Sequence, residues 1–205
     1  MFVELLEALR CPRPHDESAL VVAAGRMVDR HILDGTLGCP VCGAEFQIEN
    51  GITRFAIPAR PTPAQAPDTA LGLRIAAFLE LTDARGFAIL CGAWGAQLDP
   101  IQRVADTPLV LMNPPLRYGG EPAAVLLCDA LPLAASSARA AALDGDMSAS
   151  QIASVVQAVR SGGRLIGPAS TPLPAGIKEV ARDETLWVGE KPGVVRFVEL
   201  KKSGQ

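Results

Sequence analysis

Aromatic residues make up only 4% of this 205-residue chain, and histidine occurs twice, at His15 and His31. Both histidines lie near the start, so the long remainder has no imidazole base for a Ser- or Cys-centred triad. No apolar run reaches the roughly 18 residues that a membrane-crossing helix needs. The opening stretch, MFVELLEALR, carries Glu4 and Glu7 where a secretory leader would be basic. A soluble, cytoplasmic protein without a membrane partner is the expectation. Basic blocks are also missing: the net charge is −3, and up to Pro58 five arginines face eight acids. Direct nucleic-acid binding wants a basic face and is therefore not expected.

What is present is an aliphatic core. Hydrophobic residues reach 49%, dominated by Ala, Leu and Val, a mix that suits helices packed on a buried sheet. PARPTPAQAP at Pro58–Pro67 places four prolines in ten residues and resists helix. It divides the chain into a module at 1–57, a proline-rich linker at 58–70 and a body at 71–205.

In the module, VELLEALR reads as a short helix. ALVVAAGRMVDRHIL reads as two strands turning at Ala24-Gly25, and AEFQIENGITRF as a hairpin around Asn50-Gly51. In the body, Leu71–Arg85 has a helical pattern. Phe87–Cys91, Leu109–Met112, Ala123–Cys128, Arg139–Leu143 and Arg164–Gly167 are short apolar strands. Ser150–Arg160 reads as a helix capped by Ser148 or Ser150 and ended by Gly162-Gly163. Thr185–Val188 and Val194–Leu200 are expected to pair around Lys191-Pro192-Gly193. The fold class is α/β: a small zinc-ribbon-like β module, then a Rossmann-like, mostly parallel sheet with an antiparallel hairpin at its end.

Five cysteines are an odd number for a disulfide framework. Cys39-Pro40-Val41-Cys42-Gly43 has the spacing of a zinc knuckle, in which a tight turn aims two thiolates at one ion. Cys11 offers a third sulfur. The place two residues beyond Pro12, where a second cysteine would be expected, holds Pro14, and His15 follows as the candidate fourth ligand. His31 and Asp16 are alternatives, and reduced thiols that merely pack the module are another. A closed set of three sulfurs and one nitrogen would make the zinc structural.

The stretches LLEALRCP and LDGTLGCPVCGAEFQIENGITRF resemble the Trm112-like zinc-ribbon family over residues 3–57, departing at Pro14. The resemblance implies a module that acts as a partner of methyltransferases or is fused in front of one.

The body is similar to class I S-adenosylmethionine-dependent methyltransferases. GFAILCGAWGAQ at Gly86–Gln97 resembles their first strand, glycine turn and helix, and LLCDALPLAASSARAAALDG the approach to strand four. SVVQAVRSGGRLIG is similar to their helix, glycine turn and strand five. The resemblance implies that Gly92, Gly95, Asn113 and Asp129 hold the cofactor, Asp129 at the adenine amino group and Asn113 at the ribose. It also exposes departures: Cys91, Ala93 and Trp94 replace the usual acid of the glycine turn, and Asn113 replaces the acid after strand two. Trp94 stands where it could fill the ligand's space.

NPPLRYGG at Asn113–Gly120 follows strand two and lacks an aromatic after its prolines, so a rigid loop is the expectation. Asp144 and Asp146, in LDGDMS, read as a solvated loop and helix cap, and Trp187 as core or edge packing. The pattern of lost acids favours a catalytically degenerate protein serving as a scaffold for a protein partner or a second copy. An active methyltransferase of unknown acceptor is the alternative, and docking on RNA-modifying machinery is a weaker third.

Overall fold

The structure is a computed structural model that describes residues 1–56, 62–63, 65–82, 85–115 and 123–193. Eleven strands are expected from the sequence, and the described residues form an eleven-stranded sheet in which one of them, Lys178–Arg182, is a strand that the pattern does not show. The module contributes β1 (Val21–Val28), β2 (His31–Gly38), β3 (Glu45–Glu49) and β4 (Ile52–Arg54), preceded by a single 3-10 turn at Val3–Glu7. The body contributes β5 (Ala88–Cys91), β6 (Leu109–Met112), β7 (Ala124–Leu127), β8 (Ala138–Ala142), β9 (Val159–Pro168), β10 (Lys178–Arg182) and β11 (Leu186–Glu190). Its helices are α1 (Thr69–Phe78), α2 (Leu98–Gln102) and α3 (Ala149–Ala158).

The sheet order is β1-β2-β3-β4-β7-β6-β5-β8-β9-β11-β10. Strands β7-β6-β5-β8-β9 are parallel, and counted from β5 they run 3-2-1-4-5. That is the doubly wound order, with its switch point between β5 and β8. Strand β11 then pairs antiparallel with β9 and β10. The class is α/β and Rossmann-like, as the continuous apolar strands predict. β5 and β6 are buried along their whole length, which requires cover on both faces.

The ribbon is hydrogen-bonded into this sheet. β4 lies parallel to β7, with Ile52, Thr53 and Arg54 opposite Val125, Leu126 and Leu127. One hydrophobic cluster runs from Leu5, Leu37 and Phe46 in the module to Ile89, Val110 and Leu165 in the body. Within it the rings of Phe2 and Phe87 stand 6.2 Å apart.

Four local expectations are corrected. The first hairpin turns at Asp29-Arg30, not at Ala24-Gly25; Asp29 takes the left-handed conformation at φ +49 that Asp tolerates, and Gly25 sits at a β-bulge. Helix α1 stops at Phe78 rather than Arg85, because Glu80 turns left-handed at φ +54. Helix α3 ends at Ala158, ahead of the glycine pair, and Val159 already belongs to β9. Its last carbonyls are capped by Lys191, whose ammonium donates to Val156, Gln157 and Val159. The partner of Leu186–Glu190 is Lys178–Arg182, a charged and fully exposed edge strand with no apolar alternation to betray it. Val194–Leu200, the partner expected from the sequence, lies outside the described residues.

The caps are legible. Asp68 accepts from the N–H groups of Ala70 and Leu71, and Ser148 forms a capping box with Gln151. No helix among the described residues is long and apolar enough to cross a membrane.

Because Phe87 anchors a core shared by module and body, Phe87→Ala is expected to cost about 3–5 kcal/mol. Urea denaturation followed by tryptophan fluorescence checks this; a loss below about 1 kcal/mol would mean that the shared core does not carry the fold.

Candidate functional site

Two constellations stand out. The first is in the module. The turn at Cys39–Gly43 is closed by Gly43 N–H donating to Cys39 O at 2.9 Å, with Gly43 at φ +68. It brings Cys39 and Cys42 beside the loop that carries Cys11 and His15. The donor atoms of Cys11, His15, Cys39 and Cys42 all lie within 4.8 Å of one another. Cys11 Sγ is 3.8 Å from Cys42 Sγ, and Cys39 Sγ is 3.4 Å from His15 Nε2.

Zinc–sulfur bonds of about 2.3 Å and zinc–nitrogen bonds of about 2.0 Å give tetrahedral edges of roughly 3.8 and 3.5 Å. The donor set therefore fits a tetrahedral ion without rearrangement of these two pairs. His15 Nδ1 lies 2.6 Å from Asp16 O, which can only accept, so Nδ1 donates this bond and Nε2 is the ring nitrogen that faces the sulfurs. Asp16 thus takes part through its backbone. His31 opens β2 and belongs to a different surface.

The thiols are unequal. Burial pushes Cys11 up to about 11, and its sulfur neighbours Cys39 and Cys42 add to the rise. Burial acts on Cys39 in the same sense, but the N–H groups of Cys42 and Val41 and the facing thiols outweigh it and draw Cys39 down to about 6. A thiolate is the form that ligates metal.

The second constellation is at the switch point. A crevice of about 420 Å3 opens at the carboxyl ends of the parallel strands, lined by Cys91, Gly92, Asn113, Asp129, Asp144 and Asp146 among others. Crevices there are where doubly wound sheets bind ligands, and the volume is in the small-ligand range of roughly 300–1,000 Å3. Three of the four residues expected at a cofactor, Gly92, Asn113 and Asp129, meet on this one crevice. Gly95 does not: it packs against Pro114 and Pro115, where a Cβ would come within 2.8 Å of the Pro114 side chain.

Two polar residues of this crevice, Asn113 and Asp144, are engaged internally. Asn113, at φ +49, donates through Nδ2 to Cys128 O at 2.8 Å, and Oδ1 accepts from Cys128 N–H at 3.0 Å. Its carbonyl accepts from Thr62 Oγ1 at 2.7 Å. Asp144 is half-buried; Oδ2 accepts from Ala93 N–H at 2.7 Å and Oδ1 from Gly145 N–H at 2.6 Å. The helix cap expected of this loop is Ser148, and Asp144 has turned inward onto the glycine turn. Trp94 does not line the crevice. Its indole donates to Leu143 O at 2.8 Å, and its ring packs on the cluster of Ile75, Leu98 and Ile101.

Asp144 is the residue that sequence reasoning placed in solvent. An Asp directly after an apolar strand that abuts the switch point was the available signal.

A second, larger cavity of about 910 Å3 lies between module and body, with Phe2, Phe87 and Pro108 on its walls and Glu7 and Asp106 among its charged groups.

No protein-family model matches this sequence, and no curated protein matches it. Solved structures do resemble it. One is a protein from Corynebacterium glutamicum, 16% identical, covering 64% of this chain and 83% of that one, with a TM-score of 0.44. Another is a SAM-dependent O-methyltransferase from Thermotoga maritima, 13% identical, covering 67% and 69%, with a TM-score of 0.44. A third is an S-adenosyl-L-methionine methyl transferase from Silicibacter pomeroyi, 11% identical, covering 60% and 90%, with a TM-score of 0.40. These likenesses are distant, and the fold assignment stands on the chain's own strand order.

Burial holds Cys91 well above the ordinary thiol range and pushes Cys128 up to about 12, so both are protonated at pH 8. Neither is expected to react with maleimide in the folded protein, and both are expected to react in urea. Peptide mass spectrometry reads this; fast labelling of Cys91 in the native state would contradict its burial.

Proposed function

We propose that this chain is a methyltransferase-like protein that no longer transfers methyl groups and instead serves as a protein-interaction subunit, its ribbon held by one structural zinc ion. The observation that carries the reading is that two groups expected to face a ligand already have partners within the chain: Ala93 N–H is taken by Asp144 and the Asn113 amide by Cys128. The space on Gly92 that a cofactor would approach is filled by the Asp144 side chain. The residues present therefore do not fit S-adenosylmethionine in the pose that the resemblance implies, and no chemical step is derived through it.

The donor set of Cys11, His15, Cys39 and Cys42 does fit zinc. All four positions of a tetrahedral ion would be filled by protein, which suits a structural role and excludes bound substrate water from the site. The ion would supply folding energy to a module too small to bury a sufficient core by itself. The resemblance to Trm112-like ribbons supports a partner-binding role, with a protein partner or a second copy as the occupant.

One observation favours the alternative of an active enzyme. Among the described residues Asp129, Asp144 and Asp146 line the crevice and no Lys or Arg does, a charge pattern that suits a cationic sulfonium ligand.

Titration calorimetry decides between the two. The proposal expects no binding of S-adenosylmethionine tighter than about 1 mM, whereas micromolar binding would establish a working cofactor site. Elemental analysis is expected to give about one zinc per chain, falling with His15→Ala; an unchanged content in that variant would remove His15 from the ligand set.

A further inference from the structure

We infer that Asp144 is a built-in stopper of the switch-point crevice, occupying the place on the Gly92 turn that a bound ligand would take. The inference rests on the reading of the crevice as one that no longer holds a nucleoside cofactor, and it names what excludes the ligand.

The first support is steric. Gly92 sits at φ +55, and in a ligand-binding turn of this kind the missing side chain leaves bare backbone for the ligand. Here that space is taken. A Cβ built on Gly92 would collide with Oδ2, Cγ and Cβ of Asp144 together. The glycine has kept its bare face, and what lies against it is the chain's own carboxylate.

The second support is the hydrogen bonding. Oδ2 accepts from Ala93 N–H and Oδ1 from Gly145 N–H, so both oxygens are held by backbone donors. A ligand that presented its own carboxylate to Ala93 would meet an anion already bonded there. An amino-acid-bearing nucleoside is thus opposed at this turn by space, and its carboxylate by charge.

The third support is anchorage. Trp94 Nε1 donates to Leu143 O at 2.8 Å, one residue from each partner of the Asp144–Ala93 bond. The two bonds cross-link residues 93–94 to 143–144 and hold the carboxylate in place. Trp94 acts as the clamp of the stopper through this bond to Leu143.

The test uses S-adenosylhomocysteine, which has the amino-acid carboxylate without the sulfonium charge, and three full-length proteins. Wild type is expected to show no binding tighter than about 1 mM, and Asp144→Ala to bind at least tenfold more tightly than that limit. Asp144→Asn keeps the volume and the acceptor for Ala93, and is expected to stay closed. Hydrogen exchange at the Ala93 amide, followed by NMR, should be slow in wild type, faster in Asp144→Ala, and slow again when ligand is added.

A folded Asp144→Ala protein that does not bind at about 1 mM overturns the stopper and leaves the proposed function standing. Binding by wild type overturns both. Equal binding by the Ala and Asn variants overturns the space-filling part of the claim. Should Asp144→Ala not fold, rapid exchange of Ala93 in wild type would still overturn the proposal, since the bond it needs would not be held.

Discussion

The parallel pairing of β4 with β7 is the contact on which the rest of the molecule depends. It is only three residues long, yet it turns two small units into one sheet. On one side it gives the ribbon an external surface on which to bury Leu37, Phe46 and Ile48. On the other it covers the edge of β7, whose residues Ala124, Val125 and Leu126 are as apolar as an interior strand. An uncovered parallel strand of that composition would be an aggregation edge. Thr53 is the buried polar residue at this seam, and its hydroxyl finds Met1 Sδ at 3.8 Å. The amino terminus itself donates to Ile32 O at 2.8 Å. The start of the chain is therefore folded into the junction.

The crevice and the ribbon illustrate opposite ways of satisfying polar groups. In the module, three sulfurs and one imidazole nitrogen converge within 4.8 Å of one another, an arrangement that a bound ion would stabilise. In the crevice, Asn113 and Asp144 have found partners in the chain. Asn113 does so by copying a strand: its amide exchanges two bonds with Cys128, extending the β6–β7 ladder by one side chain where the backbone turns left-handed. Buried polar groups must be paired, and Asn113 satisfies that demand from within the chain.

Much of this was legible in the sequence, for physical reasons. The strands β5, β6, β7 and β8 are short, continuous and apolar because both faces are covered, and that signal survives without any alignment. Asn50-Gly51 gave the second hairpin because both residues tolerate positive φ, and they stand at +50 and +78. The Cys11, His15, Cys39, Cys42 grouping was readable because ligand spacing constrains local turns. Strand β10 was hidden, since KEVAR is charged and exposed and owes its conformation to pairing alone. The turn at Asp29 lost to the more obvious Gly25, which a bulge required instead. Asp144 was misjudged as solvated because its role depends on a contact 51 residues away. Local pattern carries no information at that range.

The module turn and the glycine turn use their polar side chains differently. In the module the imidazole of His15 joins the sulfurs of Cys11, Cys39 and Cys42 in one group of donor atoms. The glycine turn itself carries no acid. The nearest carboxylate, Asp144, turns to the backbone and bonds to it. The sheet around it is stable without a ligand, with β5, β6 and most of β8 fully buried, so nothing in the energetics of the fold keeps the crevice open.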